Sequence, residues 1–125
     1  MKGSHVFDHV GLRVKDLERS APLYKAMLAP LGYVAGSSGE SYAGFGPKGS
    51  PALWLHLEKN AKAAGAHVAL RAAERAAVDR FHAAGVKAGA KDNGAPGLRT
   101  DYAPNYYAAF LIDFDGNNIE AVCMA

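Results

Sequence analysis

The chain has 125 residues, of which 50% are hydrophobic and 21% are charged, and its formal net charge is +2. This length supports one hydrophobic core and is too short for two independent ones. The cationic residues are scattered from Lys2 to Arg99 without a block, so the charge does not indicate binding to nucleic acid.

The cysteine content and the hydropathy indicate the compartment. The single cysteine, Cys123, cannot form a disulfide within the chain, and no apolar run approaches the roughly 18 residues of a membrane span. We therefore expect a cytoplasmic protein without membrane contact. The opening Met1-Lys2-Gly3-Ser4-His5 resembles the remnant of an expression tag, so His5 is given no functional role.

The first half of the chain predicts a strand, a helix and three further strands. Residues Val6 to Val14 form a β-rich run, and a helix capped by Asp16 follows with apolar residues at helical spacing as far as Gly32. Because Pro22 interrupts that pattern, we expect a loose first turn. The Gly- and Ser-rich stretch from Tyr33 to Gly49 suits two short strands, and Pro51 to Glu58 suits a stronger one.

The second half repeats this order of elements. Ala66 to Arg71 predicts a strand, and Glu74 to Ala84 predicts a helix that the next glycine ends. A short extended piece and the loop Asn93 to Arg99 follow, and then two strands at Tyr106 to Asp113 and Asn117 to Met124.

A repeated pentapeptide supports the division into two modules. His9-Val10-Gly11-Leu12-Arg13 returns, with one residue changed, as His67-Val68-Ala69-Leu70-Arg71. We expect one α+β domain over residues 1–125, built from two βαβββ modules at about 5–58 and 66–124 and joined by the linker Lys59 to Gly65. The two modules must share one core.

Strand parity predicts which side chains share a face of the sheet. Successive residues of a strand point to opposite faces, so the apolar positions of each repeat can cover a helix while the histidines face away. The same reasoning places Glu120 on the face that lacks the helices. That face then collects four side chains that could ligate a metal: His9, His56, His67 and Glu120.

The order of these motifs resembles the vicinal oxygen chelate superfamily. The quoted residues are Phe7-Asp8-His9-Val10-Gly11-Leu12 with Asp16-Leu17-Glu18-Arg19-Ser20, the second His67 strand, and the ending Asp115-Gly116-Asn117-Asn118-Ile119-Glu120-Ala121-Val122. The superfamily includes glyoxalase I, extradiol dioxygenases and bleomycin-resistance proteins. The resemblance implies a curved mixed sheet around a cup, helices on its outer face, a small-molecule substrate or ligand, and in many members a homodimer.

The resemblance also implies a divalent metal ion, such as Zn, Ni, Mn or Fe, held by His9, His67 and Glu120. Glyoxalase I has a fourth, usually acidic, ligand in the last strand of the first module. Here Trp54 or His56 would take that position, and the sequence leaves the two alternatives open. Two histidines and one carboxylate would match the ligand set of non-haem iron oxygenases.

The remaining roles follow from the chemistry of such a site. Glu120 would act as ligand and, when displaced, as general base, and Arg13 or Arg99 would meet an anionic group. Aromatic side chains would shape the substrate pocket, and we name Tyr42, Phe45, Trp54 and Tyr107. A structural alternative is that Glu120 forms an ion pair with Arg13 or Arg71, and that Tyr106 and Tyr107 only pack the strand.

Three functions are compatible with the sequence. The first is a glyoxalase-like, metal-dependent lyase or isomerase, similar to lactoylglutathione lyase. The second is a bleomycin-resistance-type protein that sequesters a drug or metabolite without chemistry, and the third is an extradiol-type dioxygenase. The helix residue His82 is excluded from the site, and the chain has neither a P-loop nor a dinucleotide fingerprint.

Overall fold

The computed structural model describes residues 6–62 and 65–125. His5, to which the sequence assigned no role, lies outside these residues, and the predicted linker Lys59 to Gly65 lies only partly inside them. Neither described helix has the length and apolar character needed to cross a membrane.

The first module is a four-stranded sheet with one helix. Its elements are β1 (Val10–Val14), α1 (Leu17–Leu28) with a 3-10 turn (Ala29–Leu31), β2 (Val34–Ser38), β3 (Tyr42–Gly46) and β4 (Leu53–Leu57). The strand order is β1-β4-β3-β2, in which β1 and β4 are parallel and the other neighbours antiparallel.

The second module has the same topology. Its elements are β5 (His67–Arg71), α2 (Arg75–Lys87), β6 (Lys91–Leu98), β7 (Tyr107–Ile112) and β8 (Asn118–Cys123). The strand order β5-β8-β7-β6 again has its one parallel pair between the first and last strands. The predicted α+β class and the two βαβββ modules are therefore confirmed.

Strand parity separates a core face from an open face in both sheets. In β1, Leu12 and Val14 are buried while Gly11 and Arg13 are exposed. In β8, the core side chains are Ile119, Ala121 and Cys123, and each is fully buried. The alternation puts the helices over one face of each sheet and leaves the opposite face for other contacts.

The start of α1 differs from the expected loose turn. Asp16 caps the helix, since its side chain accepts a hydrogen bond from the backbone N–H of Arg19 at 3.2 Å. The helix therefore begins at Leu17, and Pro22 lies inside it.

The helix of the second module is longer than the sequence pattern predicts. The glycine that was expected to end it, Gly85, is buried within α2, and the helix continues to Lys87. A Cβ atom at Gly85 would lie 2.3 Å from Cδ1 of Leu111 and 3.4 Å from Cβ of Met27. Gly85 is thus a packing residue, because only a hydrogen atom leaves room for those side chains.

The prediction of a loop from Asn93 to Arg99 is wrong for all of these residues except Arg99. Residues Lys91–Leu98 form β6, which pairs with β7 along an irregular ladder. Its register shifts between Asp92 and Gly94 and again between Gly94 and Gly97, as in β-bulges. Glycine and proline here mark a bulged edge strand rather than a free loop.

A buried polar contact joins the two modules. The hydroxyl of Tyr24 on α1 donates to Oδ2 of Asp113, just after β7, at 2.5 Å. The same carboxylate accepts from the backbone N–H groups of Asp115 and Asn117 and from the side-chain amide of Asn117. Burial and the negative charge of Asp113 raise the pKa of Tyr24. The tyrosine therefore remains a neutral donor.

The Tyr24 contact generates a prediction about stability. In Tyr24→Phe, the buried Asp113 carboxylate loses one donor, and we expect the free energy of unfolding to fall by about 1 to 2 kcal/mol. Urea denaturation followed by circular dichroism measures the change. The matched control is Tyr33→Phe, whose exposed hydroxyl donates to the carbonyl of Arg71 at 3.0 Å, where water can replace it. An equal loss in both variants would contradict the special role of the buried contact.

Candidate active site

The carboxylate of Glu120 is the centre of the candidate site. Glu120 lies in the middle of β8, between Ala69 of β5 and Phe110 of β7 in the sheet register, and only 1% of its surface is exposed. Its Oε1 lies 2.8 Å from Nε2 of His67, and its Oε2 accepts a hydrogen bond from the hydroxyl of Tyr106. Both carboxylate oxygens therefore have a donor, as a buried carboxylate requires.

His67 connects this buried carboxylate to the solvent. The side chain of His67 is 52% exposed, although its Nε2 contacts the almost fully buried Glu120. An ionised carboxylate only accepts hydrogen bonds, so Nε2 is the donor in this contact. In a neutral ring of that tautomer, Nδ1 would be the acceptor. We refer to His67 and Glu120 as the acid–base pair.

Tyr106 holds the second oxygen of Glu120. Burial, together with the hydrogen bond to Glu120 and the charge of that carboxylate, raises the pKa of Tyr106 to about 12. Tyr106 therefore keeps its proton at neutral pH and donates it to the contact. Its ring packs edge-on against Tyr102 with 5.1 Å between the ring centroids, which fixes its direction.

The open face of the first module carries aromatic and imidazole side chains instead. The indole of Trp54 lies over Gly44, where a Cβ atom would come within 2.5 Å of the ring, and Tyr42 packs beside it at 6.1 Å between centroids. The imidazole of His56 lies over Gly11 at 3.2 Å from the position of a Cβ atom. Glycines on neighbouring strands thus make room for both rings.

The sheet register shows which residue of the first module corresponds to Glu120 of the second module. Trp54 pairs with Gly11 of β1, and Glu120 pairs with Ala69 of β5. Since Gly11 and Ala69 are the same position of the repeated pentapeptide, Trp54 is the counterpart of Glu120. His56 pairs with Arg13 and is the counterpart of Val122.

The residues expected to ligate a metal do not all meet within one chain. His67 and Glu120 are in contact, whereas the Nδ1 of His9 lies 2.7 Å from Oδ1 of Asp8 in an exposed position. Within residues 6–62 and 65–125, no group of three or more His, Cys, Asp or Glu side chains is arranged to hold an ion. A single described chain thus provides one pair of adjacent ligands and does not fit a complete metal site.

The other predicted site residues lie in separate parts of the structure. Arg13 is exposed on the open face of β1, and Tyr42 and Trp54 are on the same face of β3 and β4. Phe45 is 2% exposed and packs on Tyr24 in the core. The hydroxyl of Tyr107 donates to Asp79 of α2 at 2.6 Å, so this ring points towards the helix. Arg99 lies over the ring of Phe110 at 5.3 Å, on the face of Glu120.

Sequence reasoning missed the role of Tyr106, and it considered a different partner for Glu120. The structural alternative paired Glu120 with Arg13 or Arg71, whereas the described contacts are with His67 and Tyr106. Tyr106 precedes the first residue of β7, where strand parity is not reliable. The alternation Tyr106, Ala108, Phe110 opposite Val122 and Glu120 is the signal that could have found it.

The raised pKa of Tyr106 predicts a loss of stability at high pH. The folded value is about 12 and the unfolded value about 10, so this contribution is fully present below pH 10 and is lost as the pH rises towards 12. We expect the difference in unfolding free energy between the wild type and Tyr106→Phe to shrink across that window. Urea denaturation of both proteins at pH 9 and pH 11 measures it, and a constant difference would contradict the assignment.

Comparison with known proteins is informative at the level of structure. No protein-family model matches the chain, and no curated protein gives a match. Among solved structures, the chain is similar to a glyoxalase/bleomycin resistance protein from Albidiferax ferrireducens T118, with 29% identity, a TM-score of 0.80, and coverage of 97% of this chain and 100% of that chain.

Two more distant structures show the same architecture. A glyoxalase/bleomycin resistance protein/dioxygenase family enzyme from Burkholderia phytofirmans PsJN has 15% identity and a TM-score of 0.73, with 94% of this chain and 98% of that chain covered. A glyoxalase/dioxygenase from Nostoc punctiforme has 18% identity and a TM-score of 0.70, with 94% and 90% covered. The chain therefore has the fold of the glyoxalase/bleomycin resistance/dioxygenase proteins, consistent with the vicinal oxygen chelate superfamily.

Proposed function

We propose that the protein is a glyoxalase-like lyase or isomerase that moves a proton on a small-molecule substrate. The observation that carries the proposal is the buried Glu120 carboxylate, held by Tyr106 on one oxygen and by the half-exposed imidazole of His67 on the other. Such a ring is suited to general acid–base catalysis.

The geometry supports a simple proton transfer. A substrate on the open face meets His67 first, and Nδ1 of the neutral ring accepts a proton from a carbon next to a carbonyl group. The Glu120 carboxylate, 2.8 Å from Nε2, stabilises the imidazolium that forms, as the carboxylate does in other carboxylate–histidine pairs. The imidazolium then delivers a proton to the neighbouring carbonyl carbon, while the hydroxyl proton of the substrate moves to the former carbonyl oxygen. Because the half-exposed ring can exchange its proton with water, the delivered proton can come from the solvent. Displacement of His67 would expose Glu120 as the base itself.

A metal-dependent form of this activity would be a property of a homodimer. His67 and Glu120 supply an imidazole and a carboxylate in contact, and the described chain has no third ligand beside them. We therefore propose that a second copy supplies it, through His9 of the partner subunit. A divalent Zn, Ni, Mn or Fe ion bound there would act as a Lewis acid towards substrate oxygens.

Sequestration of a ligand without chemistry is the second candidate function. The exposed contact between Tyr42 and Trp54, 6.1 Å between centroids, favours it, because an aromatic pair can hold a planar apolar group. Nothing in the contacts of the described residues favours the dioxygenase alternative over these two, and it would require iron at the metal site.

An assay of proton transfer tests the first candidate. We expect the wild type to isomerise hemithioacetals of 2-oxoaldehydes, with deuterium incorporated from D2O, and Glu120→Gln and His67→Ala to lose about 100-fold or more in rate. The matched control is His82→Ala, because His82 pairs with Asp92 and not with Glu120. Full activity in Glu120→Gln and His67→Ala would refute the acid–base role.

Binding without turnover would favour sequestration. Trp54 is the single tryptophan of the chain, so its fluorescence can report on ligands at the aromatic pair. Quenching by a ligand that is not converted, with unchanged affinity in Glu120→Gln, would establish the second candidate in place of the first.

Mixing two variants that each fail to bind metal tests whether the metal site is shared between two subunits. We expect elemental analysis after reconstitution with Ni, Zn, Mn or Fe to find about one equivalent per chain in the wild type, and almost none in His9→Ala or His67→Ala. A heterodimer of these two variants would regain one intact site of two, because one site would then keep both histidines. No recovery on mixing, together with metal in the wild type, would place the site within one chain. No metal in any preparation would leave only the acid–base pair.

A further inference from the structure

The bulged strand β6 holds the guanidinium of Arg99 against its own backbone. Nη1 of Arg99 donates to the carbonyl of Gly97 at 2.9 Å, and Nη2 donates to the carbonyl of Ala95 at 2.7 Å. These two bonds fix the plane of a side chain that would otherwise be mobile. The head group is therefore ordered before any ligand arrives.

Two glycines create the space for this guanidinium. A Cβ atom at Gly94 would lie 3.1 Å from Nη2 of Arg99 and 2.9 Å from the ring of Phe110. A Cβ atom at Gly97 would lie 3.2 Å from Nη1. The register shifts of β6 fall at these same two residues. The bulges and glycines thus form a cradle for one arginine.

The cradle lies on the same face as the acid–base pair. The guanidinium of Arg99 sits 5.3 Å from the centroid of the Phe110 ring, and the ring of His67 lies 6.3 Å from that centroid. Phe110 is also the register partner of Glu120. Arg99 and His67 therefore flank a single aromatic ring on the open face of the second sheet.

The guanidinium retains unused donors and an uncompensated charge. A guanidinium has five N–H groups, and the two described bonds leave three of them. Across residues 6–62 and 65–125, the carboxylates that form salt bridges pair with other residues and none pairs with Arg99. A preordered cation of this kind is suited to a bidentate contact with a carboxylate.

Asn118 adds a second side chain with unused hydrogen-bonding capacity. Its Oδ1 is buried and has no hydrogen-bond partner among the described residues. Asn118 is the register partner of His67, and it borders a cavity of about 390 Å³ with Arg99. The remaining lining residues of this cavity are Asn93, Gly94, Tyr102 and Phe110. A buried amide oxygen without a donor is costly unless a ligand supplies one.

We propose that this cavity binds a small hydroxycarboxylate, whose carboxylate contacts Arg99 and whose hydroxyl donates to Oδ1 of Asn118. The binding site stands on its own contacts. Its role in orienting a substrate towards His67 rests on the proposed function and narrows the substrate class to anionic molecules.

Matched charged and uncharged probes test the site. The probes are lactate and phenyllactate, each compared with its amide, and the readout is the shift of the Arg99 Nε–H and Gly97 N–H signals in 15N NMR spectra. We expect saturable binding of at least one acid, with about tenfold or greater preference over its amide, because one charge-assisted contact is lost in the amide. Equal binding of acid and amide, or no saturable binding of either acid, would overturn the proposal.

Variants locate the binding and separate it from catalysis. We expect Arg99→Gln to remove the preference for the acid, while Arg80→Gln, an exposed helix residue with the same charge change, keeps it. Gly97→Ala should weaken binding of the acid severalfold with an unchanged unfolding midpoint, since the new methyl group displaces Nη1. An equal effect of Arg80→Gln would show a nonspecific charge effect and refute the site. Binding that persists in Glu120→Gln would show that the anion site exists even where the acid–base proposal fails.

Discussion

The two modules depend on a shared core, because their helices pack against each other and their apolar side chains form one buried cluster. Met27 of α1 packs at Gly85 of α2, where Leu111 of β7 also meets the helix, so the covering layer belongs to both modules. The Tyr24 to Asp113 contact then ties α1 to the end of β7 inside this layer. With the apolar side chains directed inward, the polar side chains of the strands are left on the opposite face, and the candidate site forms there.

Glu120 shows how such a face can hold a buried charge. A carboxylate without partners would be strongly disfavoured at 1% exposure, and here two neighbouring donors satisfy both oxygens. The donors come from different strands, since His67 lies on β5 and Tyr106 precedes β7. The stability of β8 and the proposed chemistry at the carboxylate would therefore be linked. A substitution that changes the reactivity of His67 would also change the hydrogen bonding of the buried Glu120 carboxylate.

Much of the fold could be predicted from the sequence, because repeats and period-two patterns are local signals. The two βαβββ modules and the open-face positions of His67 and Glu120 follow from such signals. The length of α2 and the presence of strand β6 do not, because Gly85 and Gly94 make room for side chains that are distant in the sequence. For the candidate site, the sequence predicted Glu120 but not its contact with Tyr106, and it could not choose between Trp54 and His56. That choice needed the register between β1 and β4.

The register equivalence of Trp54 and Glu120 also has an evolutionary meaning. Two modules with the same topology and a repeated pentapeptide are expected from duplication of one ancestral unit. Positions that face the core are apolar in both copies, as in Leu12 and Leu70. The open faces of the last strands differ, since one copy carries an indole, Trp54, where the other carries a carboxylate, Glu120. Because the core does not use that face, new chemistry could be acquired in one copy while the other preserved the fold.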